Sequence, residues 1–324
     1  MRIKKFFLVT ALLAIALSTL AQQVTVAPYY GGRQAALSLT FDDRLLDQYT
    51  LAYPQLKARG LKASFGIIGS KVGGVMRSKQ DRLDRTDGTP CMTWDMLREM
   101  AADGQEITNH GWEHRAVTRL DGELLRHEVL ANDSAIEKNI GVRPVTYFYP
   151  GNSKSEETVA FCEQGRVGSR TFQLSLGSKR TTTFLRKYVN DLIRKGEWGV
   201  TMTHGIAQGY DHFQDPQVLW TFLDDICARQ DQLWIAPLRD VTAYVKEREA
   251  SKLSVDTVAQ GLCVTIHTGL DKQLFSHSLT LAVRTNVANA EQDGVLLEVT
   301  RENGIAYVNV NPNGGKVLIR TNKF

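Results

Sequence analysis

From residue 35 to about residue 250, short strand-like runs alternate with longer stretches whose apolar residues recur at helical spacing. The clearest strand-like runs are AALSLTF (35–41), KASFGII (62–68), QEITNH (105–110), VTYFY (145–149) and WGVTMTH (198–204). Repeated strand–helix units of this kind predict an α/β fold in which helices surround a parallel sheet. The simplest form of such a sheet, over this length of chain, is a barrel or near-barrel.

The pattern changes after residue 250. The runs GLCVTIHTG, HSLTLAVRT, IAYVNV and KVLIRT alternate apolar with polar residues, and turns such as RENG and NPNGG separate them. Alternation with period two is typical of half-buried strands. We therefore predict a barrel domain over residues 22–250 and a small β-sandwich-like module over residues 251–324.

The first 21 residues have the composition of a secretory signal peptide. MRIKK is basic, FFLVTALLAIAL is an apolar run too short for a comfortable membrane span, and STLA ends in small residues. We expect cleavage after Ala21, no membrane anchor afterwards, and a periplasmic or extracellular protein.

The charge of the mature chain argues against a polyanionic partner. Of the 39 Lys and Arg residues, three lie in the predicted signal peptide, which leaves 36 against 35 Asp and Glu residues. A balance of about +1 gives no reason to expect binding to nucleic acid or an anionic membrane. The four cysteines are scattered without Cys-x-x-Cys spacing, so their pairing and the oligomeric state stay undetermined.

Reactive side chains collect where the predicted strands end. The first strand runs into Asp42 and Asp43, QEITNH runs into His110 with His114 four residues later, and WGVTMTH ends at His204. In a parallel barrel these strand ends meet at one mouth, which is where such folds carry their chemistry. Two imidazoles and a carboxylate form a three-ligand site that leaves positions open for water and substrate.

Four motifs, in this order, resemble those of the polysaccharide deacetylase family, the NodB-homology carbohydrate esterases. They are LSLTFDD, NHGWEH, YFYPGN and TMTHGI, and the resemblance covers residues 36 to about 240. The resemblance implies a distorted (β/α) barrel of about seven strands. It also implies a hydrolase that uses a divalent metal to remove N- or O-linked acetyl groups from a carbohydrate polymer or oligomer.

The resemblance assigns a role to each strand-end residue. Asp43, His110 and His114 would hold the metal, with Zn²⁺ as the default and Co²⁺, Ni²⁺ or Mn²⁺ as alternatives. Asp42 would be the base that takes a proton from metal-bound water, and His204 would be the general acid.

Four further residues are expected to contact the substrate. A backbone amide near Gly151 would share the oxyanion, Trp112 and Tyr149 would shape the acetyl pocket, and Tyr210 would belong to the substrate wall beyond the last motif.

The chain departs from the family pattern at three points. Arg44 replaces the glycine that usually follows the Asp pair, and we expect it to bind an anionic substrate group or to point into solvent. The arginine that braces the catalytic Asp is absent from YFYPGN, so Arg143, Arg166 or Arg170 would have to replace it. Asp191 is the candidate partner of the general acid.

Two other functions compete with this interpretation. HGWEH also matches the H-x-x-E-H pattern of zinc proteases, in which Glu113 would be the base, but that mechanism needs both histidines on one helix face. A non-catalytic carbohydrate-binding relative of the same fold is the second alternative. Such a protein would have no reason to keep base, ligands and acid together.

Overall fold

A computed structural model describes residues 23–77 and 88–322, and the predicted signal peptide lies outside them. The described strands are β1 (Val24–Val26), β2 (Ala35–Phe41), β3 (Ser64–Ile67), β4 (Val75–Met76), β5 (Thr89–Pro90), β6 (Glu106–Asn109), β7 (Leu174–Ser175), β8 (Trp198–Thr203), β9 (Leu233–Ile235), β10 (Lys252–Val258), β11 (Gly261–His267), β12 (Leu279–Val283), β13 (Val287–Gln292), β14 (Val295–Leu297), β15 (Val299–Glu302), β16 (Ile305–Val310) and β17 (Val317–Thr321).

The described α-helices are α1 (Tyr53–Ala58), α2 (Trp94–Ala102), α3 (Gly122–Ile140), α4 (Glu156–Cys162), α5 (Thr182–Lys195), α6 (Gln217–Cys227) and α7 (Leu238–Ala250). A π-helical segment (Gln48–Ala52) leads into α1. Short 3-10 turns cover Tyr30–Gly32, Gly69–Lys71, Val117–Arg119 and Pro150–Asn152.

The predicted barrel is confirmed by the strand pairing. A parallel sheet runs in the order β6-β3-β2-β8-β7, and β9 pairs with the first residues of β2. Parallel bridges from Asn109 to Tyr147 and from Phe148 to Arg170 continue the ring beyond β6. The chain then runs from Arg170 into β7, beside β8, which closes a ring of six strands, and β9 beside β2 brings the barrel to seven. The barrel is distorted, because the segment 147–148 is joined to its neighbour on each side by a single bridge.

Sequence accounts for most of the barrel's helices and strands. All seven residues of β2 are buried, as expected of a central parallel strand. The Thr93 hydroxyl accepts a hydrogen bond from the Met96 amide and so caps α2. Gly141 and Gly196 end α3 and α5 in the left-handed conformation that glycine adopts without steric cost.

By its internal contacts, the described chain forms two compact units. One runs from Gln34 to Thr242 and contains the barrel, and the other joins the residues up to Arg33 with those from Ala243 onward. The second unit has antiparallel sheets in the orders β1-β12-β16-β15 and β10-β11-β17-β13-β14. The domain prediction had placed Val24–Val26 with the barrel, whereas this segment pairs antiparallel with β12 over Leu281–Val283.

None of the helices in the described ranges combines the length and the apolar character that a membrane crossing requires. All four cysteines are unpaired, and Cys91 and Cys162 are buried.

Candidate metal and catalytic site

The carboxyl ends of three barrel strands surround one cavity. Asp42 follows β2, His110 follows β6 and His204 follows β8, and all three line a cavity of about 1220 Å³ together with Asp43 and His114. The five strand-end residues singled out in the sequence are therefore neighbours in space. They come together because parallel strands in a barrel end at the same mouth.

Three of these side chains form a group with the spacing of metal ligands. Oδ1 of Asp43 lies 3.6 Å from Nε2 of His110 and 3.6 Å from Nε2 of His114. Ligand atoms held at the usual zinc distances in a tetrahedral site are about 3.3 Å apart. Asp43 Oδ1 is buried and has no hydrogen-bond partner among the described residues. A buried carboxylate oxygen is costly to leave unpaired, so this donor set fits a cation.

The protonation of His110 also suits a metal ligand. Its Nδ1 lies 3.0 Å from the Phe148 carbonyl oxygen, so this nitrogen carries the proton and donates. That hydrogen bond leaves the lone pair on Nε2, which faces Asp43. Burial lowers the pKa of His110 to about 4, against the opposing effect of the Asp42 carboxylate. The ring is therefore neutral at pH 7.

Asp42 is held by a buried arginine from a distant part of the chain. Arg170 donates from Nη1 to Oδ1 at 2.7 Å and from Nη2 to Oδ2 at 2.5 Å. Burial alone would raise the pKa of Asp42, but Arg170, His110 and His204 outweigh it and hold this pKa below its usual range. Of the three arginines proposed from sequence as the brace, Arg170 is the one in contact.

The other two candidate arginines act elsewhere. Arg166 and Arg143 both donate to Oδ2 of Asp133, on helix α3. They lie outside the group of side chains that touch Asp42.

The turn after β2 explains how two adjacent aspartates reach one site. Consecutive residues of a regular strand point to opposite faces. Here the strand ends at Phe41, and Asp43 and Arg44 both take positive φ, at 72° and 50°. For non-glycine residues this conformation costs roughly 1–3 kcal/mol each, and such residues cluster at functional sites.

Arg44 differs from both expectations drawn from the sequence. Its side chain is fully buried and does not line the cavity, so it neither faces solvent nor reaches a substrate there. Nη2 lies 3.5 Å from the Cys91 sulfur, while Nε and Nη1 have no partner in the described part of the chain. The turn at Asp43 directs this side chain inward.

His204 is positioned through its backbone. Gln48 donates from Nε2 to the Asp42 carbonyl at 2.5 Å and to the His204 carbonyl at 2.9 Å, so it ties two strand ends together. Asp47 Oδ2 accepts the amides of the three residues 206–208, at 2.7, 2.9 and 3.3 Å. Nothing in the sequence pattern singled out Asp47 or Gln48, because both look like ordinary polar residues of a helix start.

The expected acidic partner of His204 is not Asp191. That residue pairs with Lys187 and Arg194 on α5. His204 Nδ1 is buried without a partner in residues 23–77 and 88–322.

The expected substrate residues divide into two groups. Tyr149, Gly151 and Tyr210 line the cavity, and the Tyr210 ring stands edge-on to His204 at 4.9 Å between centroids. Trp112 does not line it. Its ring packs against Gly69 and stands edge-on to His127 instead, so it has a packing role here.

The histidine pair lies on a loop, which removes the basis of the zinc-protease alternative. Residues 110–114 contain no helix, and Gly111 and His114 have φ of 80° and 66°. The two histidines therefore do not share a helix face. Glu113 is directed to Arg115, whose Nη2 donates to it at 2.9 Å.

Comparison with known proteins gives a match to the family described as polysaccharide deacetylase, over residues 31–165. YxkH of Bacillus subtilis (strain 168), a candidate polysaccharide deacetylase, is 26% identical over 126 residues. This match covers 39% of the present chain and 40% of that relative, so it spans less than half of each.

Two solved structures give weaker likenesses. A candidate polysaccharide deacetylase from Mycobacterium smegmatis has 15% identity and a TM-score of 0.49, covering 69% of this chain and 94% of that one. The peptidoglycan deacetylase PdaC from Bacillus subtilis has 19% identity and a TM-score of 0.44, covering 69% and 96%. With both TM-scores below 0.5, neither adds to the fold established by the strand pairing.

The matched region includes Asp42, Asp43, His110 and His114 but ends before Arg170 and His204. The barrel brings those two residues to the others. Residues 31–165 of this chain are thus similar to the polysaccharide deacetylase family, and the strand-end residues of that region lie in the cavity described above.

Proposed function

We propose that this chain is a metal-dependent hydrolase that removes acetyl groups from a carbohydrate polymer or oligomer. One observation carries most of the proposal: the buried and otherwise unpaired Oδ1 of Asp43 lies 3.6 Å from Nε2 of both His110 and His114. The family match supports the substrate class, and Asp42 and His204 in the same cavity support catalysis.

Asp43, His110 and His114 would hold the cation, most simply Zn²⁺, although Co²⁺, Ni²⁺ and Mn²⁺ accept similar ligands. A divalent cation bound there would supply Lewis acidity, which polarises the acetyl carbonyl and lowers the pKa of a nearby water.

Asp42 would act as the general base. Its carboxylate lines the cavity, and the two hydrogen bonds from Arg170 fix its orientation. It would take a proton from water as the water oxygen attacks the acetyl carbon. A positioned base of this kind typically contributes about 10²- to 10⁴-fold in rate.

His204 would act as the general acid. It would protonate the nitrogen or oxygen of the sugar as that atom separates from the acetyl carbon, which yields acetate and a free amine or hydroxyl. Tyr210, edge-on to His204 and half exposed, would form part of the wall against which the sugar lies.

The test is acetate release from chitin oligomers, peptidoglycan and acetylated xylan, with and without a chelator. We expect release from at least one substrate, loss with the chelator, and recovery when metal is returned. Asp42→Asn should abolish release while metal stays bound. Glu113→Gln is the matched control, because Glu113 is half exposed and would be the base only in a protease.

Two results would contradict the proposal. Unchanged activity in Asp42→Asn would remove its assigned role. No release from any of the three substrates, with metal confirmed in the protein, would favour a non-catalytic carbohydrate-binding relative.

We also propose that the protein is exported, since its substrate would be a polymer outside the cytoplasm. Purification from the periplasm or medium should give a mature N-terminus at Gln22. An intact Met1 on protein recovered from the cytoplasm would contradict export.

A further inference from the structure

The loop that joins His110 to His114 has an irregular backbone conformation, which contacts with the surrounding structure must stabilise. Gly111 and His114 have φ of 80° and 66°, and His114 is not a glycine. Left-handed residues of this kind persist only where surrounding contacts determine them. Because the loop sets the position of His114 relative to Asp43, whatever holds it also sets the geometry of the proposed cation site.

Glu128, on helix α3, makes the contacts that hold this loop. Its carboxylate accepts the Glu113 amide at 3.1 and 3.2 Å through both oxygens and the Arg115 amide at 2.9 Å through Oε1. These are the two amides that flank His114. The backbone carbonyl of Glu128 accepts the Trp112 amide at 2.8 Å.

The loop passes unusually close to this carboxylate. A Cβ on Gly111 would lie 2.4 Å from Oε1 of Glu128, and the φ of 80° would strain any larger residue there, so both the contact and the backbone favour glycine. The Glu128 side chain is buried, and no ion pair within 4 Å joins it to any Lys, Arg or His in the described residues. The Glu128 carboxylate therefore accepts hydrogen bonds from the loop and is not paired with a cationic side chain.

Asn132, one helical turn after Glu128, holds the other end of the loop. Its Nδ2 donates to the Gly111 carbonyl at 2.9 Å, to Asn109 Oδ1 at 2.9 Å and to the Ile67 carbonyl at 2.7 Å. Asn109 Oδ1 in turn accepts the Gly111 amide at 2.8 Å. One face of α3 thus fixes the loop on both sides of the histidine pair.

We propose that Glu128 is a positioning residue that sets the affinity of the cation site by holding the His110–His114 loop. The inference rests on the proposed function, because it concerns the same site. Residues that orient metal ligands typically change affinity by about 10- to 100-fold when they are replaced.

The experiment uses the full chain and Glu128→Gln. Glutamine keeps the size of the side chain but removes its charge, and its amide nitrogen cannot accept a hydrogen bond, so in either orientation the Glu113 amide faces a donor in place of one of its two carboxylate oxygens. The dissociation constant for Zn²⁺ is measured by competition with a chromophoric chelator, and the Co²⁺ form is examined by visible absorption. Glu123→Gln is the matched control, since Glu123 lies on the same helix and its side chain is 95% exposed.

We expect Glu128→Gln to bind Zn²⁺ about 10- to 100-fold more weakly and to change the Co²⁺ spectrum, while Glu123→Gln matches wild type. A residue that only stabilises the fold would lower Tm in chelator and leave the dissociation constant unchanged, and that result overturns the proposal. If Glu128→Gln does not fold, Glu128→Asp serves as the test, because its shorter carboxylate withdraws from the amides; unchanged affinity there also overturns it.

Failure of this inference and failure of the proposed function give different results. Wild-type protein that binds no divalent cation contradicts the proposed function. Wild-type protein that binds a cation and releases acetate, with equal affinity in Glu128→Gln, contradicts only the role of Glu128.

Discussion

Replacing Arg170 with methionine should destabilise the barrel strongly, because it leaves a buried charge without a partner. Arg170 and Asp42 form two hydrogen bonds of 2.7 and 2.5 Å, and each side chain is 3% exposed. Arg170 also donates to Thr40 Oγ1 at 2.6 Å, and its guanidinium lies 4.1 Å from the centre of the Phe148 ring. Methionine keeps part of the ring contact and loses every hydrogen bond.

The magnitude follows from the burial of the pair. Removing one partner of a buried ion pair costs about 3–5 kcal/mol, because the remaining charge is uncompensated. We expect Arg170→Met to lower the free energy of unfolding by about this amount, a large part of the roughly 5–15 kcal/mol available to a typical domain. Asp42→Asn alone should also be costly, since it leaves Arg170 unpaired. The double variant should lose no more than either single variant.

The assay is urea unfolding in the presence of a chelator, followed by circular dichroism, for wild type, both single variants and the double variant. Arg143→Met is the matched control. Its side chain is 52% exposed and pairs with the exposed Glu137, where such pairs contribute about 0–1 kcal/mol. The buried Asp133, its other partner, keeps its ion pair with Arg166 when Arg143 is replaced. A loss in Arg170→Met no larger than in Arg143→Met, or additive losses in the double variant, would refute the reasoning.

Three further predictions follow from other contacts. Asp47→Asn should lower the free energy of unfolding by about 1–3 kcal/mol and reduce kcat, because its carboxylate holds the amides of residues 206–208 beside His204. Urea unfolding and acetate release would measure both effects. Tyr210→Ala should raise KM about 3- to 10-fold with a smaller change in kcat, since an exposed aromatic wall contributes about 0.5–1.5 kcal/mol to binding. Burial raises the pKa of Glu247 from 4.5 to about 7. The stability that its protonated form contributes is therefore present below pH 4.5 and is lost as the pH rises to 7 and above. In Glu247→Gln, the free energy of unfolding measured across this pH range should no longer show that decrease.

Each of these has a result that contradicts it. Wild-type kcat and stability in Asp47→Asn would mean that the loop after His204 is held by other contacts. A Tyr210→Ala variant with unchanged KM would place the sugar elsewhere in the cavity. A pH dependence of stability in Glu247→Gln identical to that of wild type would show that Glu247 titrates normally in the folded protein.

The parts of the fold and site that sequence predicted are those set by local pattern. Asp42, His110 and His204 were found because each ends a strand-like run, and the geometry of parallel strands brings such ends together. The Thr93 cap and the strand β8 have equally local signals. Each of these features is determined by a short run of neighbouring residues, so it can be predicted without knowledge of the tertiary structure.

The parts that sequence missed depend on long-range packing. Arg170 could not be chosen over Arg143 and Arg166, because its contact with Asp42 requires the single parallel bridge between Phe148 and Arg170. Glu128 lies in a helix rich in charged residues, and only the path of the loop packed against it separates it from its exposed neighbours. The burial of Arg44 follows from the positive φ of Asp43 and of Arg44 itself, which no sequence pattern predicts.

The central claim is that Asp43, His110 and His114 share one divalent cation, and diffraction from crystals grown with Zn²⁺ or Co²⁺ tests it most directly. Anomalous scattering should show one peak per chain within about 2.0–2.3 Å of Asp43 Oδ1 and both Nε2 atoms. The peak should disappear in Asp43→Asn crystals. A fully loaded crystal with no peak between these three side chains, or with its strongest peak elsewhere in the chain, would contradict the account.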